Sequence, residues 1–286
     1  MIFRFPGGKR KGGIIEKILS KAPKLYSEFR EPFVGGGIFW KIDINVPRWI
    51  NDIDSDLMFV YSALKNRPDD FIKSCREIEP PQEGESLTSS KGGKPLYNAR
   101  LKKVFDEMVK NKENDPALSY FFINRTVWGG RINYNIPSRL YYSNPQGWNI
   151  TKTDKLERAA KLLKDCRITN VDYSFLLNTP GENVFIYCDP PYVDVSNLSK
   201  SSQLYVHNFT INDHMRLSDN IKLCKHKVLI SYDDDKNGIV RSLYQKQDGF
   251  NIYEESWIYS GTYRSNDPQN KKRVGNELII TNYLMD

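Results

Sequence analysis

Cysteine and histidine are scarce in this chain of 286 residues, which holds four of the one and three of the other. Cys75, Cys166, Cys188 and Cys224 are far apart, form no CxxC pair and lie mostly inside apolar segments. That spacing favours reduced core thiols over a disulfide framework or a zinc site. The scattered histidines point to no metal either. Long apolar runs are also missing: nothing approaches the roughly 20 residues that cross a bilayer, and the basic start from Met1 to Lys11 lacks the apolar stretch of a secretory leader. The expectation is a cytoplasmic protein with no membrane partner and no metal. Neither GxGxxG nor GxxxxGKS/T occurs, so neither a dinucleotide nor a P-loop triphosphate is indicated.

What is present supports a large core. Hydrophobic residues make up 39% of the chain, aromatics 13% and charged residues 27%, which rules out global disorder. The length allows one large α/β domain or two smaller units. Lys and Arg number 42 against 35 Asp and Glu, a formal net charge of +7. The excess is uneven: residues 1–30 hold eight Lys/Arg against two Glu, and residues 121–170 hold nine against three Asp/Glu. Residues 182–235 reverse the balance, with five against eight. A polyanion would be drawn to the first two stretches, because each phosphate neutralised by Lys or Arg releases counterions. A merely solvated basic surface is the other reading of the same charge.

Apolar, β-branched and aromatic runs predict strands at Phe29–Val34, Arg48–Asn51, Arg167–Val171, Val184–Cys188, Lys227–Ser231, Phe250–Tyr259 and Glu277–Asn282. Helical spacing falls between them, at Ile14–Ser20, Ser55–Lys65, Lys155–Leu163, Asp213–Cys224 and Ile239–Tyr244. Strand alternating with helix predicts an open, mostly parallel sheet covered on both faces. The stretch from Pro68 to Asn149 breaks the alternation. It holds a helical piece (Asp69–Glu77), the polar run PQEGESLTSSKGGKP, a helix from Leu96 to Lys110, and then an aromatic and basic segment from Phe121 to Trp148. A strand-poor insertion of this size reads as a second, mainly helical domain at 68–149, set between two parts of one domain at 1–67 and 150–286.

Three segments carry chemistry. In Arg30-Glu31-Pro32-Phe33-Val34-Gly35-Gly36-Gly37 a strand runs into a triple glycine. Glycines at such a turn let a ligand approach the backbone, as a nucleoside cofactor would require, although a plain tight turn has the same residues. In Trp49-Ile50-Asn51-Asp52-Ile53-Asp54 an apolar strand ends in acids, and Asp52 suits the two hydroxyls of a ribose while Asp54 suits a helix cap. In Val184-Phe185-Ile186-Tyr187-Cys188-Asp189-Pro190-Pro191-Tyr192 a buried strand leaves through an acid, two prolines and an aromatic ring. Prolines cannot extend the ladder, so Asp189 is fixed at the strand's carboxyl edge. The Asp189 carboxylate and Pro190 carbonyl are two acceptors beside the flat ring of Tyr192. An ordinary strand-ending turn is one reading of that set; the other is one chemical problem that it matches closely, the activation of an exocyclic amino group on a planar base. Accepting both N–H bonds turns the lone pair out of conjugation and stabilises the positive charge that develops as a methyl group arrives.

FPGGK near the start, EPFVGGG, NDIDSDL, CDPPY and FTINDHMRL, with Tyr263-Arg264-Ser265, Lys271-Lys272-Arg273 and Glu277-Leu278 near the end, together resemble the DNA adenine N6-methyltransferases related to the bacterial adenine methylase of GATC sites. The resemblance spans almost the whole chain in the family's motif order. It implies a Rossmann-like, S-adenosylmethionine-dependent methyltransferase sheet with an inserted target-recognition domain. Asp189, Pro190 and Tyr192 are then catalytic, with Tyr192 stacked on an adenine flipped from duplex DNA. Phe5, Lys9, Pro32, Phe33, Gly35, Gly37, Asp52 and Asp189 are cofactor-binding, although Pro6 stands where a small residue is usual. Arg10 and Lys11 lie on the rim toward DNA. The segment Asn124-Arg125-Thr126-Val127-Trp128-Gly129-Gly130-Arg131-Ile132-Asn133-Tyr134-Asn135 resembles the family's recognition hairpin, which makes Asn124, Arg125, Trp128, Arg131, Asn133 and Asn135 DNA contacts. Arg139, Lys152 and Lys155 fit phosphates. Arg131 replaces an apolar residue of the GATC enzymes and Asn133 an arginine, so the recognised sequence is open. The same resemblance implies a monomer acting in restriction-modification, with a companion endonuclease, or in the marking of bacterial or phage DNA. A cytosine N4 or RNA methyltransferase and an inert DNA-binding module are the competing readings. The acid in place of a leading Ser weighs against the cytosine enzyme.

Overall fold

A computed structural model of the chain describes residues 2–3, 9, 13–78, 99–127, 130, 132, 134–135, 140–141, 154–193, 209–235, 237–258 and 274–285. Its strands are β1 (Glu28–Glu31), β2 (Arg48–Asn51), β3 (Tyr134–Asn135), β4 (Leu140–Tyr141), β5 (Arg167–Thr169), β6 (Val184–Cys188), β7 (Lys227–Asp233), β8 (Asn251–Ile258) and β9 (Val274–Thr281). The helices are α1 (Ile14–Leu19), α2 (Ser55–Asn66), α3 (Pro68–Glu77), α4 (Ala99–Lys110), α5 (Pro116–Thr126), α6 (Asp154–Leu163), α7 (Tyr173–Asn178), α8 (Ile211–Leu223) and α9 (Ile239–Leu243).

Seven strands form one sheet in the order β5-β2-β1-β6-β7-β9-β8, and β3 pairs with β4 as a separate antiparallel hairpin. The strands from β5 to β7 run parallel, while β9 enters antiparallel between β7 and β8. Chain order reverses between β1 and β6, and in an open sheet the crevice outside the carboxyl ends at such a point receives the ligand. This is the expected Rossmann-like α/β arrangement.

β6 is buried along its whole length, and its side chains alternate between two apolar layers. Phe185 and Tyr187 join Phe29, Leu57, Leu64 and Leu163 on one face; Val184, Ile186 and Cys188 join Leu217, Val228 and Ile280 on the other. β1 stops at Glu31 rather than running on to Val34, because Pro32 has no N–H to give a ladder. Local signals fix the helix starts. Asp54 caps α2 by accepting from the Asp56 and Leu57 amides, and Thr210 and Asp213 form a reciprocal capping box at α8. Proline stands at the first position of both α3 and α5.

The segment 68–149 contributes α3, α4, α5 and the β3–β4 hairpin among the described residues; the polar run within it lies outside them. Phe71, Phe105, Tyr120, Phe121, Phe122 and Ile123 belong to the same apolar layer as Phe29 and Phe185. The helices of this segment therefore share a core with the sheet.

Candidate active site

Four strand ends converge on the crevice. From β1 the chain enters the glycine turn, where Gly35 and Gly37 adopt φ of +42° and +73°. At Gly37 a Cβ would come within 2.7 Å of the Phe39 ring, so only glycine fits. The turn is held from below by Glu31, whose buried carboxylate accepts from the Ile38 and Phe39 amides at 2.8 and 3.0 Å. Burial raises the Glu31 carboxyl well above its ordinary range in spite of those two bonds. The Tyr61 hydroxyl donates to the Gly35 carbonyl at 2.8 Å, fixing the turn from the side.

At the end of β2, Asn51 ties three strand ends together. Its Nδ2 donates to the Pro32 and Val171 carbonyls at 3.0 and 2.9 Å, and its Oδ1 accepts from the Thr169 hydroxyl at 2.8 Å. Asp52 follows, accepting from the Gly35 amide on Oδ2 at 2.9 Å and from the Asp54 amide on Oδ1 at 3.1 Å. Both carboxylate oxygens thus brace the glycine turn against the start of α2. Asp54 is the helix cap, as expected, and also accepts from the Tyr120 hydroxyl at 3.2 Å. Burial, with Asp52 and Asp56 nearby, pushes the Asp54 carboxyl up to about 7.

At the end of β6, Asp189 keeps 26% of its side chain exposed while Lys9 beside it is almost wholly covered. The Lys9 ammonium lies 3.0 Å from Asp189 Oδ1 and 2.9 Å from Glu277 Oε1, and it donates to the Tyr192 hydroxyl. Tyr192 in turn donates to Glu277 Oε1 at 3.0 Å. Ser231, on β7, donates to Asp189 Oδ1 at 3.2 Å and shares a 2.8 Å bond with the Tyr187 hydroxyl. Burial alone would lower the Lys9 pKa; the Asp189 and Glu277 carboxylates overcome it and hold the ammonium well above its usual range. Burial raises the Glu277 carboxyl, with Lys9 opposing. An aromatic wall continues from here to the glycine turn. Tyr192 faces Tyr232, Tyr232 bonds His214 Nδ1 at 2.8 Å, His214 packs edge-on against Phe209, and Phe209 meets Phe33. Burial pulls His214 down to about 4, so the ring is neutral at physiological pH.

The structure therefore brings Lys9, Phe33, Gly35, Gly37, Asp52, Asp189, Pro190 and Tyr192 to one edge of the sheet. Asn124 and Arg125 sit at the last turn of α5: Asn124 is buried, and Arg125 donates to the Ile2 carbonyl at 3.4 Å. Burial puts Asn124 among the packing residues rather than on an exposed recognition face. Asn135 lies in β3, and Lys155 is exposed in α6. Phe5, Arg10, Lys11, Trp128, Arg131, Asn133, Arg139 and Lys152 lie outside the described residues, as do Tyr263 to Ser265 and Lys271 to Arg273. Among the described residues no group of three or more His, Cys, Asp or Glu could hold a metal ion, and no helix is long and apolar enough to cross a membrane. The sequence reading did not single out Glu31, Asn51, Ser231 or Glu277 as site residues. Glu277 carried one usable signal, an acid inside a largely apolar strand, and Glu31 stands directly before the Pro32 that opens the glycine turn.

A family model described as D12 class N6 adenine-specific DNA methyltransferase matches residues 5–261. The type II methyltransferase M.MjaIII of Methanocaldococcus jannaschii is 30% identical over 234 residues, covering 75% of this chain and 76% of its own. The type II methyltransferase M1.LlaDCHI of Lactococcus lactis subsp. cremoris is 26% identical over 293 residues, covering 98% and 94%. The DNA adenine methylase of Escherichia coli (strain K12) is 24% identical over 227 residues, covering 76% and 74%.

Proposed function

The chain belongs to the D12 class of N6 adenine-specific DNA methyltransferases, and from that premise we propose that it takes its methyl group from S-adenosylmethionine and delivers it to an adenine flipped out of duplex DNA at a specific site. The observation that carries this reading is the Asp189-Pro190-Pro191-Tyr192 exit from β6, beside a side-chain-free glycine turn at the neighbouring strand end. The residues present fit the cofactor. Gly35 and Gly37 leave bare backbone at the tip of β1, Phe33 gives an apolar wall, and Asp52 offers a carboxylate at the tip of β2. Lys9, Pro32 and Asp189 complete that set, with Phe5 as a further contact. When bound, S-adenosylmethionine supplies an electrophilic methyl group on a sulfonium.

The chain's own residues prepare the acceptor. Asp189 and the Pro190 carbonyl accept the two N6–H bonds, which frees the nitrogen lone pair and stabilises its developing charge. The Asp189 carboxylate is placed to receive the proton that leaves. Tyr192 stacks on the extruded base, its hydroxyl anchored by Glu277. The segment 68–149 reads the DNA, through Arg125, Trp128, Arg131, Asn133 and Asn135. Arg10, Lys11, Arg139, Lys152 and Lys155 meet phosphates. The chain acts as a monomer, in restriction-modification beside a companion endonuclease or in the marking of bacterial or phage DNA. In Asp189→Ala, methyl transfer is expected to fall by about a hundredfold or more while much of the DNA binding persists. Near-normal methylation by that variant would remove Asp189 from the chemistry.

A further inference from the structure

We propose that Glu277 is a positioning residue for methyl transfer: as the buried counter-charge of Lys9, it leaves the Asp189 carboxylate free to act on the adenine amino group. The inference rests on the reading of Asp189 as the group that receives that amine.

The charges show why a second acid is needed. An ammonium 3.0 Å from Asp189 Oδ1, paired with nothing else, would be that carboxylate's own salt-bridge partner and would blunt it as an acceptor. Lys9 is instead shared with Glu277 at 2.9 Å, so the cluster holds two carboxylates against one ammonium. The two acids differ in access. The Glu277 side chain is 0% exposed and the Asp189 side chain 26%, so the acid that anchors Lys9 faces the core and the other faces the crevice. Glu277 Oε1 also accepts from the Tyr192 hydroxyl, which ties the ring expected to meet the base to the same anchor.

The fold supplies the position. β9 runs antiparallel to β7 with Glu277 opposite Asp233, which brings it to the carboxyl edge where Ser231 of β7 reaches Asp189. Glu277 Oε2 is buried with no partner among the described residues. Leaving a carboxylate oxygen unsatisfied is costly, and a residue that only filled space at this point of the sheet would not need to be charged.

Glu277→Gln keeps the volume and removes the charge. With duplex DNA and S-adenosylmethionine, kcat is expected to fall at least tenfold while the Kd for the cofactor and the KM for DNA stay within about threefold of wild type. Glu277→Asp, which keeps the charge, is expected to hold kcat at least fivefold above the Gln variant. The double variant Lys9→Met/Glu277→Gln, which carries neither charge, is expected to lose at least tenfold less than the product of the two single losses. A Gln variant within twofold of wild type, equal kcat for Gln and Asp, or single losses that simply multiply would each overturn the proposal. Should the Gln variant not fold by circular dichroism, the Asp variant decides: kcat within tenfold of wild type supports the proposal, and a larger loss overturns it. Asp189→Ala run in the same assay reports on the underlying reading separately, because methylation that survives there defeats it whatever Glu277 does.

Discussion

At the scale of single residues, the site is a set of acids given different tasks by their neighbours. Glu31 accepts from two loop amides, Asp52 braces the glycine turn at the crevice, Glu277 holds Lys9, and Asp189 lies partly exposed at the crevice beside that pair. Asp54 is an acid whose burial outweighs its hydrogen bonds, and this makes it a pH sensor for stability. Its folded-state value of about 7 lies above the ordinary carboxylate value near 4. The folded chain therefore holds the proton more tightly, and the stabilisation is present below about pH 4 and is lost as pH rises through 7. Asp54→Asn keeps the cap and cannot ionise. Thermal melts should show it gaining on wild type, by on the order of 1 kcal/mol or more, between pH 5 and pH 8. A difference that does not change with pH would contradict the assignment. Asp189, Lys9 and Asp52 were legible in the sequence because each stands in a short motif at a strand or chain end. Glu277 and Ser231 were not, because their roles depend on Lys9 and Asp189, which lie far away along the chain and meet them only once the sheet has formed.

At the scale of elements, the glycine turn is the most constrained piece of the crevice. Gly37→Ala would place a Cβ against the Phe39 ring at a backbone φ of +73°. A loss of about 1–3 kcal/mol in stability is expected, with weaker S-adenosylmethionine binding by calorimetry. Unchanged affinity would mean that the turn does not face the cofactor. The bounds of β2 and β6 were readable directly, since their apolar runs are closed by polar and proline residues. α5 was not: eight of its eleven residues are buried, so it is apolar round most of its circumference and offers no periodic stripe. Its aromatic content read as part of a DNA-facing segment, whereas Tyr120, Phe121 and Phe122 pack into the core. α7 is six residues long and too short for its period to show.

At the scale of the whole molecule, the sheet order sets the division of labour. Parallel strands from β5 to β7 bring the glycine turn, Asp52, Asp189 and Ser231 to one edge, and antiparallel β9 adds Glu277 to the same edge from the opposite chain direction. The net charge of +7, with basic excess in the first thirty residues and in residues 121–170, suits a polyanion partner. The acidic stretch containing Asp189 suits a site that must stabilise positive charge on a nitrogen. Fold class and family were legible because motif order and strand alternation point the same way. The recognised sequence was not, because at Arg131 and Asn133 the resemblance to the GATC enzymes implies other residues. The most direct test of the central claim is to incubate the protein with duplex DNA and S-adenosylmethionine deuterated at the methyl group, digest the DNA to nucleosides and identify the labelled product by mass spectrometry. Label in N6-methyldeoxyadenosine is the predicted result; label in N4-methyldeoxycytidine, or in no nucleoside, would contradict it.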